Sequence, residues 1–115
     1  MTYSNIIAGT MKWGIWGAHF NTAAYEAMIK DCLSLAVTTF DHADIYGDYT
    51  TEEEFGRVLK QEPSLRQQMQ LITKCGIQMV SANRPQHKIK SYDTSFTHIT
   101  ESVELSLKNL GTDYI

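Results

Sequence analysis

Residues 37–47 read Val-Thr-Thr-Phe-Asp-His-Ala-Asp-Ile-Tyr-Gly, a β-branched and aromatic run that meets a charge at Asp41. Such residues pack well on a pleated, half-buried surface, so Val37 to Phe40 predict a short buried strand that ends on Asp41. Both flanks carry a different period. Upstream, from Thr22, the apolar positions Ala24, Met28, Cys32 and Leu35, flanked by Ile29, Leu33 and Ala36, predict one amphipathic helix. Downstream, Thr51 followed by Glu54 predicts a capping box, with Glu52 and Glu53 near the positive end of the helix dipole and Phe55, Val58 and Leu59 on the inner face.

The alternation continues outward. Ile6, Ile7 and Ala8 form a short apolar run stopped by Gly9, and the glycine-punctuated stretch to Gly17 reads as a loop. Pro63 breaks the helical pattern, after which Met69, Leu71, Ile72 and Thr73 predict a strand ending at Lys74. Residues 77–94 have no periodicity and hold Asn83, Arg84, Pro85, His87, Lys88 and Lys90, which reads as a long, locally basic loop. Phe96, Ile99, Val103, Leu107 and Leu110 then predict a helix from near Ser95, with Lys108 in its last turn and Gly111 just past its end; Tyr114 and Ile115 open a further strand. Strand, helix, strand, helix, strand, helix implies βαβ units with parallel strands, an α/β class shared by open doubly wound sheets and (β/α) barrels. The glycines after the first strand, Gly9, Gly14 and Gly17, do not make the GxGxxG fingerprint of a dinucleotide-binding sheet.

The bulk properties bound the function. The chain has 115 residues, 43% hydrophobic and 20% charged, the composition of one globular domain. A net charge of −3 and a pI near 5.7 give no electrostatic footing for nucleic acid or an acidic membrane, and favour a small-molecule partner. Met1 to Ala8 has no basic leader pattern, and no apolar run approaches the roughly eighteen residues of a membrane span, so the cytoplasm is the expected compartment. Cys32 and Cys75 stand apart and in no CxxC, which predicts buried or half-buried thiols and neither disulfide nor metal site.

The chemistry gathers at the strand ends. Neighbouring parallel strands lie about 4.8 Å apart, so Asp41 and Lys74 are expected to face and pair. Tyr46, five residues beyond Asp41, is placed for its loop to curl back over them. A free phenol is a weak acid, with a pKa of about 10; stabilising its phenolate by roughly three units takes about 4 kcal/mol, a task for a neighbouring ammonium. Asp41 would hold Lys74 protonated while Tyr46 gives a proton to a carbonyl oxygen as hydride reaches the carbon, a reduction that needs a cofactor. Blander roles compete: a structural salt bridge for Asp41 and Lys74, a satisfied half-buried aromatic for Tyr46, packing or pocket lining for Trp13 and Trp16. His42 is expected on the opposite face, in packing or solvent, Asp44 and Asp48 as loop or cap residues, and the basic cluster as a mouth gate or a solvated loop.

FDHADIYG (40–47) with LITKCG (71–76) resembles the Asp, Tyr and Lys motifs of the aldo-keto reductase superfamily. GTMKWG (9–14) resembles its nicotinamide-side loop, YGDYTTEEEFGRVLK (46–60) its second helix, and SVELSLKNLGTDYI (102–115) the lead-in to its fourth strand. The resemblance implies an incomplete (β/α)8 TIM-type barrel of about the first three βα units, with residues 1–115 the N-terminal portion of a single barrel domain. It implies NADPH-dependent reduction of an aldehyde or ketone to an alcohol, with Asp41, Tyr46 and Lys74 catalytic and Gly9, Thr10, Met11 and Asp41 on the cofactor side. None of His19, His42, His87 or His98 matches the family's catalytic histidine, which follows the fourth strand, so the 115 residues alone are expected to be inactive. Two alternatives accompany this reading: a nicotinamide-sensing regulatory protein of the same fold, and a non-catalytic piece that self-associates through open sheet edges.

Overall fold

The computed structural model describes residues 2–115. Its centre is a parallel sheet in the order β1 (Ile7–Gly9), β2 (Thr39–Asp41), β3 (Gln70–Ile72). Ala8, Phe40 and Leu71 lie level across it, as do Gly9, Asp41 and Ile72, so the three C-terminal strand ends share one rim. Helix α1 (Thr22–Ser34) connects β1 to β2. A short kinked helix α2 (Tyr46–Tyr49), the helix α3 (Thr51–Gln61) and a 3-10 turn (Pro63–Gln68) connect β2 to β3, and α4 (Phe96–Leu110) follows. The sheet does not close into a barrel.

The core is aromatic. Trp13 is buried with its ring centroid 5.7 Å from Tyr25, 5.9 Å from Phe20 and 6.1 Å from both Phe40 and Phe55. Packing therefore claims Trp13, and burial of each such side chain contributes about 2 kcal/mol. Phe55, Val58 and Leu59 form the inner face of α3 as their spacing predicts. Among the described residues no helix is long and apolar enough to cross a membrane, and Cys32 and Cys75 are both half-buried free thiols.

Several local expectations are corrected. The buried line of α1 is Tyr25 and Ile29, with Met28, Cys32 and Leu33 beside it, while Leu35 is 77% exposed at the helix end. Tyr25 rotates the apolar face by about one position, because a large aromatic ring outweighs Ala24 as a core contact. The Thr51–Glu54 capping box does not form: Thr50 is the N-cap, the Thr51 hydroxyl is buried with no partner, and the Glu54 carboxylate accepts from the Tyr25 hydroxyl at 2.7 Å. The chain enters α3 already curled from α2, so the extended N-cap geometry that a capping box needs is unavailable.

Residues 77–94 are not a featureless loop. Strand β4 (Ile77–Gln78) pairs antiparallel with β5 (Ser91–Tyr92), and Ser81 bridges Arg84 near the tip. Two-residue strands are too short to show a period in sequence. On α4 the predicted stripe faces outward at its start, with Phe96 85% exposed; the buried residues are Ser106 and Leu110. The helix approaches α3 closely at Gly56, where a Cβ would lie 1.9 Å from the Asn109 carbonyl oxygen. Tyr114 and Ile115 form no strand. Instead Arg66 donates to the Tyr114 carbonyl, the Thr112 hydroxyl and the Met69 carbonyl, each at 2.8 Å, with its guanidinium 3.7 Å from the Tyr114 ring centroid.

Candidate functional site

The rim at the strand ends collects the residues singled out by their chemistry. The β2–β3 ladder runs on past both strands through His42 N to Ile72 O at 2.8 Å and Asp44 N to Lys74 O at 3.0 Å. That register sets Lys74 beside Asp41: the Lys74 Nζ donates to Asp41 Oδ1 at 2.7 Å and to the His42 carbonyl at 2.6 Å. Their side chains are 49% and 35% exposed, so the pair is solvated, and its net contribution to stability is small, below about 1 kcal/mol. Its value is directional: two acceptors aim the ammonium.

What the ammonium points toward is Tyr46. Lys74 Nζ lies 5.2 Å from the centroid of the Tyr46 ring, and Trp16 meets the same ring edge-on at 6.3 Å. Asp41, Tyr46 and Lys74 are therefore brought together, with the cation over the ring face. A cavity of about 190 Å³ opens here, lined by Ala43, Asp44, Ile45, Tyr46, Lys74, Cys75 and Ile77.

Behind the rim, Thr10 is fully buried. Its backbone N–H and hydroxyl both reach the Asp41 carbonyl at 3.1 Å, and its hydroxyl lies 3.0 Å from His42 Nδ1. Thr10 thus fixes the backbone of Asp41 and has no surface for a ligand. Gly9, with open space where a Cβ would stand, and Met11, 41% exposed, do offer surface at the rim. His42 is fully buried and edge-on to Phe55 at a centroid distance of 4.5 Å, which corrects any solvent-facing role. Burial, and then the Lys74 charge, pushes its pKa down to about 3, so the ring is neutral at ordinary pH.

Three features escape sequence reasoning. Glu52 is 3% exposed, and its carboxylate accepts from Thr73 Oγ1 at 2.6 Å and Ser106 Oγ at 3.0 Å, tying α3 to the residue before Lys74 and to α4. Its only signal is its spacing, three and seven residues ahead of Phe55 and Leu59, which puts an acid on the apolar face. Asp44 is half-buried, and burial raises its pKa, opposed by its bond to the Ile45 backbone and by His98, Arg84 and His87. Finally, Gly47, Asp48 and Tyr49 stand in the left-handed region at φ 61°, 57° and 68°. A Cβ on Gly47 would sit 2.4 Å from the Thr51 hydroxyl, and each of the other two carries about 1–2 kcal/mol of strain.

The model of the Aldo/keto reductase family matches residues 5–115. The chain is 45% identical over 115 residues to the uncharacterized oxidoreductase YcsN of Bacillus subtilis, covering 100% of this chain and 38% of that protein. It is 41% identical over 107 residues to the 6-dehydroglucose reductase of Agrobacterium fabrum, covering 90% of this chain and 36% of that protein. Among solved structures, the holo form of the aldo-keto reductase AKR11C1 from Bacillus halodurans superposes with a TM-score of 0.77 at 28% identity, covering 100% of this chain and 35% of that one. The chain therefore spans little more than a third of the length of the proteins it matches.

Proposed function

The chain belongs to the aldo/keto reductase family, and from that premise we propose that its rim supplies the proton-transfer side of an NADPH-dependent reduction of a small aldehyde or ketone to an alcohol. Tyr46 is the proton donor to the carbonyl oxygen. Lys74 is the charge that stabilises the phenolate left behind, and Asp41 is the carboxylate that aims Lys74. The observation that supports this reading best is the Lys74 ammonium held by Asp41 Oδ1 and the His42 carbonyl while standing over the Tyr46 ring. An isolated structural ion pair needs no phenol at its open side.

The reduced nicotinamide, when bound, supplies the hydride. The residues present fit a flat ring at the rim: Gly9 leaves open space and Met11 is exposed, while buried Thr10 keeps the Asp41 backbone in place. His42, the histidine nearest to Tyr46 in sequence, is fully buried and bonded to Thr10, so it is not placed to serve as a second donor. We therefore expect these 115 residues to need the remainder of a barrel for turnover.

The test places residues 1–115 in front of the remaining segment of YcsN and measures NADPH consumption with small carbonyls. Tyr46→Phe should lower kcat by about two to four orders of magnitude with cofactor binding nearly unchanged. Full turnover in that variant refutes the assignment. Rapid multiple turnover in the unsubstituted chimera rejects a purely sensing role.

A further inference from the structure

We propose that Tyr49 is a positioning residue for Tyr46, and that the β4–β5 hairpin acts through it as a brace on the rim. The starting point is the left-handed run Gly47, Asp48, Tyr49 directly after Tyr46. Glycine takes such a conformation freely, but Asp48 and Tyr49 do not, and strained residues persist only where their surroundings hold them.

The hairpin provides that hold. The Tyr49 hydroxyl accepts from the Met79 amide at 2.8 Å and donates to the Ile77 carbonyl at 3.4 Å. Arg84 stands 4.2 Å from the centroid of the Tyr49 ring, and Asn83 Nδ2 donates to the Asp48 carbonyl at 2.9 Å. Each contact lands on one of the two strained non-glycine residues.

The strained run is also bonded back to Tyr46. The Thr50 amide donates to the Tyr46 carbonyl and the Tyr49 amide to the Ile45 carbonyl, each at 3.2 Å. If Tyr49 relaxed toward the right-handed region, these bonds would break and the Tyr46 ring would leave Lys74 and Trp16. Hairpin residues more than thirty positions away in sequence thus set where the phenol sits, as supporting groups do around a functional side chain. The consequence for catalysis rests on the proton-donor role of Tyr46; the positioning itself does not.

The experiment uses the 115-residue chain with labelled tyrosine. The Tyr46 ring signals are assigned by Tyr46→Phe, and its proximity to Trp16 is read from ring-to-ring nuclear Overhauser effects. Tyr49→Phe keeps the ring under Arg84 and removes only the hydroxyl; Asn83→Ala, at an exposed position, removes the tie to Asp48. Both should move the Tyr46 ring signals, weaken the Trp16 contact and speed exchange of the Tyr49 and Thr50 amides by about fivefold, the effect of one lost hydrogen bond. Unfolding midpoints should fall by no more than about 5 °C, the effect of one lost hydrogen bond. Unmoved Tyr46 signals and unchanged exchange at Tyr49 and Thr50 in both variants would overturn the brace. A moved Tyr46 signal combined with a fully active Tyr46→Phe chimera would leave the brace standing and remove the proton-donor role instead.

Discussion

Truncating Glu52 to alanine should destabilise the chain by about 3 kcal/mol. Its carboxylate takes hydrogen bonds from Thr73 and Ser106 at 2.6 and 3.0 Å, and bonds to an ionised group contribute about 1.5–3 kcal/mol each. Removing it also strands the buried Ser106 hydroxyl, at about 1–3 kcal/mol. Against these stands the burial of the carboxylate itself, which raises its pKa and which truncation relieves. With total stability of about 5–15 kcal/mol for such a domain, the loss is a large fraction, or about 12 °C in Tm. Glu52→Gln should stay within about 1 kcal/mol of the parent at neutral pH, because an amide can accept from one hydroxyl and donate to the other. The two differ in pH dependence. A carboxyl whose pKa is higher folded than unfolded binds more protons folded. Its contribution is therefore fully present below the unfolded value and is lost as pH rises through the folded one. The parent should lose stability relative to Glu52→Gln as pH rises across that interval. Urea unfolding followed by tryptophan fluorescence between about pH 4 and 7 measures both. A Glu52→Ala loss under about 1 kcal/mol, or a parent that gains on Glu52→Gln with rising pH, refutes this account of the network.

His42 should show the opposite slope: with its folded pKa near 3 against an ordinary value near 6.5, it contributes stability above the latter that is lost as pH falls through the interval. Imidazole nitrogen spectra should show the neutral form at pH 5, and a protonated ring there would contradict its burial. Gly56→Ala should cost more than about 2 kcal/mol in urea unfolding despite the better helix propensity of alanine, because its Cβ would meet the Asn109 carbonyl at 1.9 Å. Arg66→Lys should cost about 2 kcal/mol, since an ammonium cannot reproduce a planar fork that reaches three acceptors and stacks on Tyr114; a neutral result would mean that the fork and the stack together contribute nothing.

The strands and long helices are legible in the sequence because each has one dominant period and one buried side. Phe40, Leu71, Phe55, Val58 and Leu59 announce themselves this way. The parts that are not legible depend on partners distant in the chain. Tyr25 displaces the predicted face of α1 because its hydroxyl reaches Glu54 and its ring reaches Trp13. The capping box fails at Thr51 because α2 precedes it without a break, and nothing in residues 51–54 records that. Asp41, Tyr46 and Lys74 were readable as a group because two strand ends and a five-residue offset bring them together. Tyr49 was not, because its partners at Met79 and Ile77 lie in a hairpin with no period of its own.

The same contrast explains how the site is built. Asp41 and Lys74 meet through the β2–β3 register and its continuation past the strands, and the backbone of Asp41 is fixed by Thr10 just after β1. The charge pair is therefore placed by groups on three adjacent strands and their immediate C-terminal extensions. Tyr46 has no strand to hold it: it begins a four-residue helix whose own Asp48 and Tyr49 stand in the left-handed region. Backbone ladders thus hold the charge pair, while contacts of the β4–β5 hairpin to the Tyr49 side chain and the Asp48 carbonyl hold the phenol. Substitutions in the hairpin should therefore move Tyr46 and leave the Asp41–Lys74 pair in place, and the two halves of the site should vary separately.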